Sequence, residues 1–170
     1  SVSTYLKNDY PNFEVVIIDN GSTDGTKEYV EQKWPDVYVL RTDKNLGYSG
    51  GFNFGLDYAF NKEEADYVLI TNNDVKADSK VISELINVAG KDKKIGFVTG
   101  KVYYYDKPNI LQTVGKTGDK KYWRGGHIGN KERDTGQYDA IKEREWCDDI
   151  YWLVNKNLFS PTINEECFGR

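Results

Sequence analysis

The chain has 170 residues, a formal net charge of −4 and 29% charged residues, and this length suits one domain with a real hydrophobic core. The acidic balance and the lack of a basic block argue against a duplex-binding protein. The sequence contains no run of about 18 apolar residues that would predict a membrane span. It also shows no charged-then-apolar leader that would predict a signal peptide. Cys147 and Cys167 are too few for a disulfide framework and lie in no metal-ligand spacing, so we expect reduced thiols in a cytoplasmic protein.

Apolar runs and helical patterns alternate along the first hundred residues. The run Val15-Val16-Ile17-Ile18 is rich in β-branched residues, as a buried parallel strand should be. In chain order we predict a helix over residues 1–7, a strand over 14–19, a helix over 26–33, a strand over 37–41, a helix over 52–60, a strand over 67–71 and a helix from residue 78 or 79 to residue 89.

The second half of the chain predicts extended structure with one long interruption. Extended runs cover residues 95–105, 110–114 and 146–154. Glycine and charge dominate residues 115–138, where we expect a long mobile loop. Because the earlier alternation is typical of βαβ units, we predict a single α/β domain over residues 1–170, with a mostly parallel Rossmann-like sheet flanked by helices.

Two of the predicted strands deliver carboxylates at their ends. Asp19 follows the first, and Asn72, Asn73 and Asp74 follow the strand over residues 67–71. The carboxyl ends of parallel strands meet at one edge of a sheet, so we expect these side chains at a common rim. A nucleotide needs a hydrogen-bond acceptor for its base or ribose, and its diphosphate needs a cation held by carboxylate oxygen. Asp19 and Asp74 are candidates for these two tasks, and turns and caps alone are the alternative.

Other chemically active residues carry weaker signals. His127 is the only histidine and lies in a glycine-rich stretch, where a solvated side chain is the ordinary outcome, so we assign it no role. Asp148 and Asp149 precede an apolar run, and since adjacent strand residues point to opposite faces, at most one of them would face a site. Residues 47–51 lack the spacing of a dinucleotide fingerprint, and Ile110 stands where a phosphate loop ending at residues 115–117 needs its first glycine.

Three blocks, in order along the chain, carry a resemblance to a known family. They are residues 12–26 (NFEVVIIDNGSTDGT), residues 45–53 (NLGYSGGFN) and residues 71–75 (TNNDV). They resemble the family 2 glycosyltransferases, which are inverting enzymes with a GT-A fold. The last block looks like the variant of the Asp-x-Asp motif in the rhamnosyltransferase-like branch. The resemblance covers residues 1–168 and weakens after residue 115.

The resemblance implies a role for each matching residue. The residues that bind the nucleotide sugar would be Asp19, Asn20, Ser22, Asn45, Gly47, Gly51, Asn72 and Asn73. Among them, Asp19 would bind the pyrimidine base in a pocket that Asn20 and Ser22 shape, and residues 45–51 would form a loop over the nucleotide. Asp74 would ligate Mg²⁺ or Mn²⁺ on the diphosphate, where the cation offsets the charge on the departing group.

The chain departs from the family pattern at three places. Family members begin with a strand and a turn that contact the nucleotide, and we expect that strand to lie outside this sequence. The general base is expected beyond Arg170, shortly after a turn that residues 164–168 resemble, with Asp148 and Asp149 as weaker candidates. Relatives have small residues where this chain has Asp149-Ile150, which bears on how the acceptor is aligned. The chain is therefore expected to be a fragment that lacks the first strand and the C-terminal part.

The resemblance implies a metal-dependent inverting glycosyltransferase. It would move a sugar from a UDP- or dTDP-sugar to a saccharide or lipid-linked acceptor in cell-surface polysaccharide synthesis. We expect a cytoplasmic location, with peripheral association at the inner face of the membrane compatible with it, and no nucleic-acid partner. A sugar nucleotidyltransferase and a non-catalytic nucleotide- or glycan-binding module are the alternatives.

Overall fold

The computed structural model describes residues 1–119, 124–144 and 146–158. Short helices and strands alternate at first: α1 (Val2–Tyr5), β1 (Val16–Asp19), α2 (Thr26–Lys33), β2 (Tyr38–Arg41), α3 (Gly47–Asp57) with a π-helical turn (Tyr58–Lys62), β3 (Tyr67–Thr71) and α4 (Val81–Ala89). Strands follow: β4 (Phe97–Val98), β5 (Val102–Tyr104), β6 (Lys107–Thr113), β7 (Lys116–Asp119), β8 (Arg124–His127) and β9 (Tyr151–Asn155), before a 3₁₀ turn (Lys156–Leu158). Cys167 and the turn expected over residues 164–168 lie outside the described residues.

Strands β1 and β2 form a parallel pair that ends in opposite charges, because the register places Asp19 directly beside Arg41. Helix α3 approaches β1 closely: a Cβ atom on Gly55 would lie 3.0 Å from the side chain of Ile18. Glycine at this position therefore lets α3 pack against the strand that carries Asp19.

A strand from the far end of the chain completes a second sheet. β9 pairs with β3 on one side and with β4 on the other, and it is antiparallel to both. Among the strand pairs of the described residues only β1–β2 is parallel, so the prediction of a mostly parallel sheet is not confirmed, although helices and strands do mix as an α/β class requires. The reason is that a short apolar run predicts a buried strand and says nothing of its direction.

Two buried clusters lie on opposite faces of β9. One consists of Leu85, Ala89, Val98 and Leu153, and the other of Leu56, Phe60, Ile70 and Val154. Since successive strand residues face opposite sides, β9 is packed between α4 and the segment formed by α3 and its π-helical turn. Helix α4 begins at Val81, two or three residues after the predicted start, and it buries Ile82 in addition to Leu85 and Ala89 of the first cluster.

A cleft of about 800 Å³ separates the two sheets, and residues of both β1 and β3 line it. Within the described residues β1 pairs with β2 alone and β3 with β9 alone, so one edge of each strand borders this cleft. Its walls include apolar side chains such as Ile18, Phe52 and Leu69, and polar ones where the strands end.

The segment expected as a long loop contains regular structure. β7 and β8 form an antiparallel hairpin with Lys116 opposite His127, so the prediction of a loop over residues 115–138 is wrong for these strands. Its glycines serve close packing: a Cβ on Gly118 would lie 2.6 Å from the Trp146 ring, and a Cβ on Gly125 would lie within bonding distance of a backbone carbonyl. The mobility of the segment stays a prediction.

Candidate functional site

Asp19 ends β1 with a side chain that solvent does not reach. Its Oδ1 accepts a hydrogen bond of 2.8 Å from the backbone N–H of Ser22. Its Oδ2 is buried and has no hydrogen-bond partner among the described residues, and the nearest cation is Arg41 Nε at 3.6 Å. Because an unsatisfied buried acceptor costs about 1–3 kcal/mol, this oxygen is a candidate for an acceptor that a ligand completes.

The Asn20 carboxamide joins the loop after β1 to the start of α3. Its Nδ2 donates to the Gly47 carbonyl at 2.9 Å and to Asn45 Oδ1 at 3.2 Å, and its Oδ1 accepts from the Leu46 N–H at 2.9 Å. Gly51 lies directly behind, since a Cβ there would be 3.2 Å from Asn20 Nδ2. The side-chain hydrogen bonds of Asn20 and Asn45 therefore hold the loop after β1 against the start of α3.

Residues 47–51 differ from their expected form as a loop. They make the first turns of α3, which begins at Gly47 and not at the predicted residue 52. Gly47 has φ +75°, and Asn45 Oδ1 accepts its N–H at 2.8 Å. The sequence pattern missed this start because glycine-rich turns normally interrupt a helix, whereas here the Asn20 and Asn45 side chains take up the free N–H groups.

We expect Gly21→Ala to destabilise the domain more than Gly47→Ala. Gly21 has φ +77°, and a Cβ there would lie 2.7 Å from the Lys44 carbonyl carbon and 2.8 Å from the Asn45 nitrogen. Gly47 has a similar φ with nothing within 4 Å of the added carbon, so its variant carries only the left-handed backbone cost of roughly 1 kcal/mol. Urea unfolding should give a loss of about 2–4 kcal/mol for Gly21→Ala. Equal losses in the two variants would contradict the close approach of these loops.

The first residues after β3 border the same cleft. The Asn72 N–H donates to the Ile150 carbonyl at 3.1 Å, which ties this turn to the start of β9. Asn72 and Asn73 line the 800 Å³ cleft together with Asn20, Gly47 and Gly51. Residues of all three sequence blocks therefore line one cleft, although β1 and β3 belong to different sheets in the described part of the chain.

Asp74 is exposed and lines a smaller pocket of about 370 Å³, which it shares with Asn73, Lys76 and Tyr105. In the part of the chain that the structure describes, no three His, Cys, Asp or Glu side chains gather in a way that could hold a metal ion. A single carboxylate still suits Mg²⁺, which keeps several waters and takes the rest of its ligands from substrate phosphates. The donor set at Asp74 thus fits a cation that arrives with a diphosphate.

The acidic pair before β9 splits into one buried and one exposed member. The Asp148 side chain is 2% exposed and contacts His127 Nδ1 through Oδ2 at 2.7 Å. The Asp149 side chain is 68% exposed and lies 3.4 Å from Lys116 Nζ. Its contact with Asp148 and the charge of Lys116 lower the pKa of Asp149. Asp148 is therefore enclosed, and its lowered pKa makes the exposed Asp149 a weaker base than a free carboxylate.

Sequence reasoning missed three residues that contact the candidate acids. Arg41 faces Asp19, and Lys116 and His127 face Asp148. A parallel register between the first two strands would have predicted the first pairing, since it sets the ends of both strands side by side. The contacts of Lys116 and His127 with Asp148 depend on the β7–β8 hairpin, which could not be predicted because the glycine content of this segment favours a loop.

The comparisons with known proteins agree with these motifs. Residues 1–144 match the sequence profile described as Glycosyl transferase family 2. The poly-beta-1,6-N-acetyl-D-glucosamine synthase of Staphylococcus epidermidis is 30% identical over 116 residues, which are 67% of this chain and 27% of that protein. The N-acetylglucosaminyl-diphospho-decaprenol L-rhamnosyltransferase of Mycobacterium tuberculosis is 34% identical over 89 residues, 48% of this chain and 29% of that protein.

A third relative is the low-salt glycan biosynthesis hexosyltransferase Agl10 of Haloferax volcanii, 29% identical over 75 residues, 44% of this chain and 24% of that protein. The matched segments thus span 24–29% of the length of these three relatives. None of the helices described here is long and apolar enough to cross a membrane.

Proposed function

The chain belongs to glycosyl transferase family 2, and from that membership we propose that it binds the nucleoside diphosphate sugar of a glycan-building hexosyltransferase. The observation that carries the proposal is the buried Asp19 Oδ2, which has no hydrogen-bond partner in the described part of the chain. Its chain neighbours Ile18 and Asn20 line the cleft around which the three motif blocks gather. A site of this kind suits a ligand with one well-placed N–H donor.

The base of the donor is uracil or thymine in this proposal. An ionised carboxylate only accepts hydrogen bonds, and both bases carry an imide N–H, whereas cytosine has a bare acceptor nitrogen at that ring position. Asp19 would therefore accept a hydrogen bond from the imide N–H of UDP or dTDP and repel the corresponding acceptor nitrogen of CDP. Ser22 and Arg41 hold the carboxylate in place for this contact through the ion pair and hydrogen bond described above.

The diphosphate lies toward Asp74 in this proposal, with Mg²⁺ or Mn²⁺ between them. When bound, the cation would offset the negative charge that builds on the departing diphosphate. Asn72 and Asn73, at the border between the cleft and the Asp74 pocket, would donate to ribose or sugar hydroxyls. An acceptor hydroxyl would attack the anomeric carbon from the side opposite the diphosphate, so the configuration at that carbon inverts.

The relatives support a role in glycan synthesis. One is named for a polysaccharide of N-acetylglucosamine and another for transfer to an N-acetylglucosaminyl-diphospho-decaprenol. We propose a saccharide or lipid-linked acceptor for this chain too, and action at the cytoplasmic face of a membrane. The general base beyond Arg170 stays a prediction.

Turnover by the full-length protein tests the proposal against its two alternatives. We expect release of UDP or dTDP from one member of a nucleotide-sugar panel, and only with a divalent cation present. A sugar nucleotidyltransferase would instead release pyrophosphate from a nucleoside triphosphate and a sugar 1-phosphate. Nucleotide binding without turnover of any donor would identify a binding module and contradict the proposed enzyme.

A further inference from the structure

Tyr48 is an exposed aromatic residue on the wall of the 800 Å³ cleft. It belongs to the first turn of α3 and is 59% exposed. The residues that line the cleft with it include Asn20, Gly47, Asn72 and Asn73, which come from all three sequence blocks. An isolated exposed aromatic is ordinary on a protein surface, but ligand sites are concave and combine aromatic side chains with a few polar groups. Tyr48 has the surroundings of a ring that binds a ligand.

The contacts at the two ends of Tyr48 set its ring between the first and the last sequence block. At the backbone end, Asn20 Nδ2 donates to the carbonyl of Gly47, the residue just before Tyr48. At the other end, the Tyr48 hydroxyl donates to the Asp149 carbonyl at 3.4 Å, and the next carbonyl along the chain accepts the Asn72 N–H. In the proposed donor pose the base lies at the residue before Asn20 and the ribose or sugar at Asn72. The ring therefore lies beside the nucleoside of that pose.

Other aromatic rings hold Tyr48 in place. Its ring meets that of Phe52, one turn further along α3, at a centroid distance of 4.6 Å and an interplanar angle of 86°. Phe52 in turn contacts the Trp152 ring at 5.8 Å, and both pack against the buried cluster of α3 and β9. Because the ring is already held, a ligand that packs on it has less side-chain freedom to remove, which favours binding.

We infer that Tyr48 is a binding residue of the proposed donor site and that its ring packs against the nucleoside of the pyrimidine diphosphate. Stacking on an aromatic ring tolerates any base, because every base has a π face. Tyr48 therefore supplies affinity without discrimination among pyrimidines, whereas the hydrogen bond to Asp19 supplies the discrimination. This inference rests on the proposed function, since its ligand is the nucleotide of that proposal.

Calorimetry on variants of the full-length protein tests this role, with UDP and CDP in Mg²⁺ as the probes. Tyr48→Ala should bind both nucleotides roughly 10–100-fold more weakly, as expected for the loss of one stacked base. The ratio of the two affinities should stay at its wild-type value. Tyr48→Phe keeps the ring and should bind within a factor of about three of the wild type. Inorganic pyrophosphate, which carries no nucleoside, should bind Tyr48→Ala and the wild type equally.

Tyr29→Ala is the matched control, because Tyr29 is 56% exposed on α2 and lines neither the cleft nor the Asp74 pocket. It should keep the wild-type affinities for both nucleotides. Tyr48→Leu is a second test variant, which keeps an apolar side chain without a π face and should lose affinity as Tyr48→Ala does. Thermal unfolding of each variant separates a binding defect from a folding defect.

Two results would overturn the inference alone. One is wild-type affinity for UDP in Tyr48→Ala or Tyr48→Leu. The other is a loss in Tyr48→Phe as large as that in Tyr48→Ala, which would assign the effect to the hydroxyl contact with Asp149 and not to the ring. Wild-type protein that binds neither UDP nor CDP would instead contradict the proposed function, and the inference with it.

Discussion

Asp19→Asn should weaken UDP and dTDP binding by roughly 10–100-fold and change the preference of the site among pyrimidines. The asparagine would keep its Oδ1 on the Ser22 N–H and put an NH₂ group where the unpartnered Oδ2 now lies. That group is a donor and would face the imide N–H of uracil or thymine, while it matches the acceptor nitrogen of cytosine. Losing a hydrogen bond to a charged group costs about 1.5–3 kcal/mol, which corresponds to the expected loss in affinity.

The control for this variant is Asp36→Asn. Asp36 is exposed and lies before β2, at the end opposite Arg41. Its substitution removes the same charge far from the site and should leave the affinity unchanged. Thermal unfolding of both variants separates a binding defect from a folding defect. If Asp19→Asn binds UDP as well as the wild type, the carboxylate is a structural cap of the turn after β1 and not a ligand.

Asp74→Asn should reduce the affinity for UDP in Mg²⁺ to the level that the wild-type protein shows with a chelator. Asp74 is the exposed carboxylate of the smaller pocket, and no group of three potential ligands gathers elsewhere in the described residues. The cation should therefore depend on this one side chain and on the phosphates. We expect a loss of about tenfold, or ~1.4 kcal/mol, measured by calorimetry, and no further loss when the chelator is added to the variant.

Glu84→Gln supplies the matched control for Asp74. Glu84 is exposed on α4 and carries the same charge, but it lines neither of the two pockets. It should keep both the wild-type affinity and its dependence on Mg²⁺. A variant of Asp74 that still gains affinity from Mg²⁺ would move the metal ligand to another residue.

The strand ends that carry the candidate site could be predicted because they follow from short-range signals. An apolar β-branched run that ends in Asp19, and another that ends in residues 72–74, each mark the carboxyl end of a strand. The helix after β1 was predicted with its observed bounds, because Pro35 disfavours a helical backbone at Trp34 and so ends the helix at Lys33. These local patterns do not depend on how distant parts of the chain pair.

The rest depends on contacts between residues far apart in the sequence. β9 enters between β3 and β4 some eighty residues after β3, and nothing in its own residues specifies an antiparallel direction. The pairing of His127 with Asp148 joins a hairpin to the start of β9, and it gives an exposed histidine a buried carboxylate as its partner. Glycines that favour a loop by composition instead allow Trp146 to pack on the β7–β8 hairpin.

The central claim is that a buried carboxylate at the end of β1 selects a pyrimidine diphosphate with an imide N–H. Calorimetric titration of the protein with UDP, dTDP and CDP, each with Mg²⁺ and with a chelator, tests it most directly. We expect UDP and dTDP to bind at least about tenfold more tightly than CDP, and all three to weaken when the cation is removed. Equal affinities for UDP and CDP would contradict the role given to Asp19, and binding that ignores the chelator would contradict the role given to Asp74.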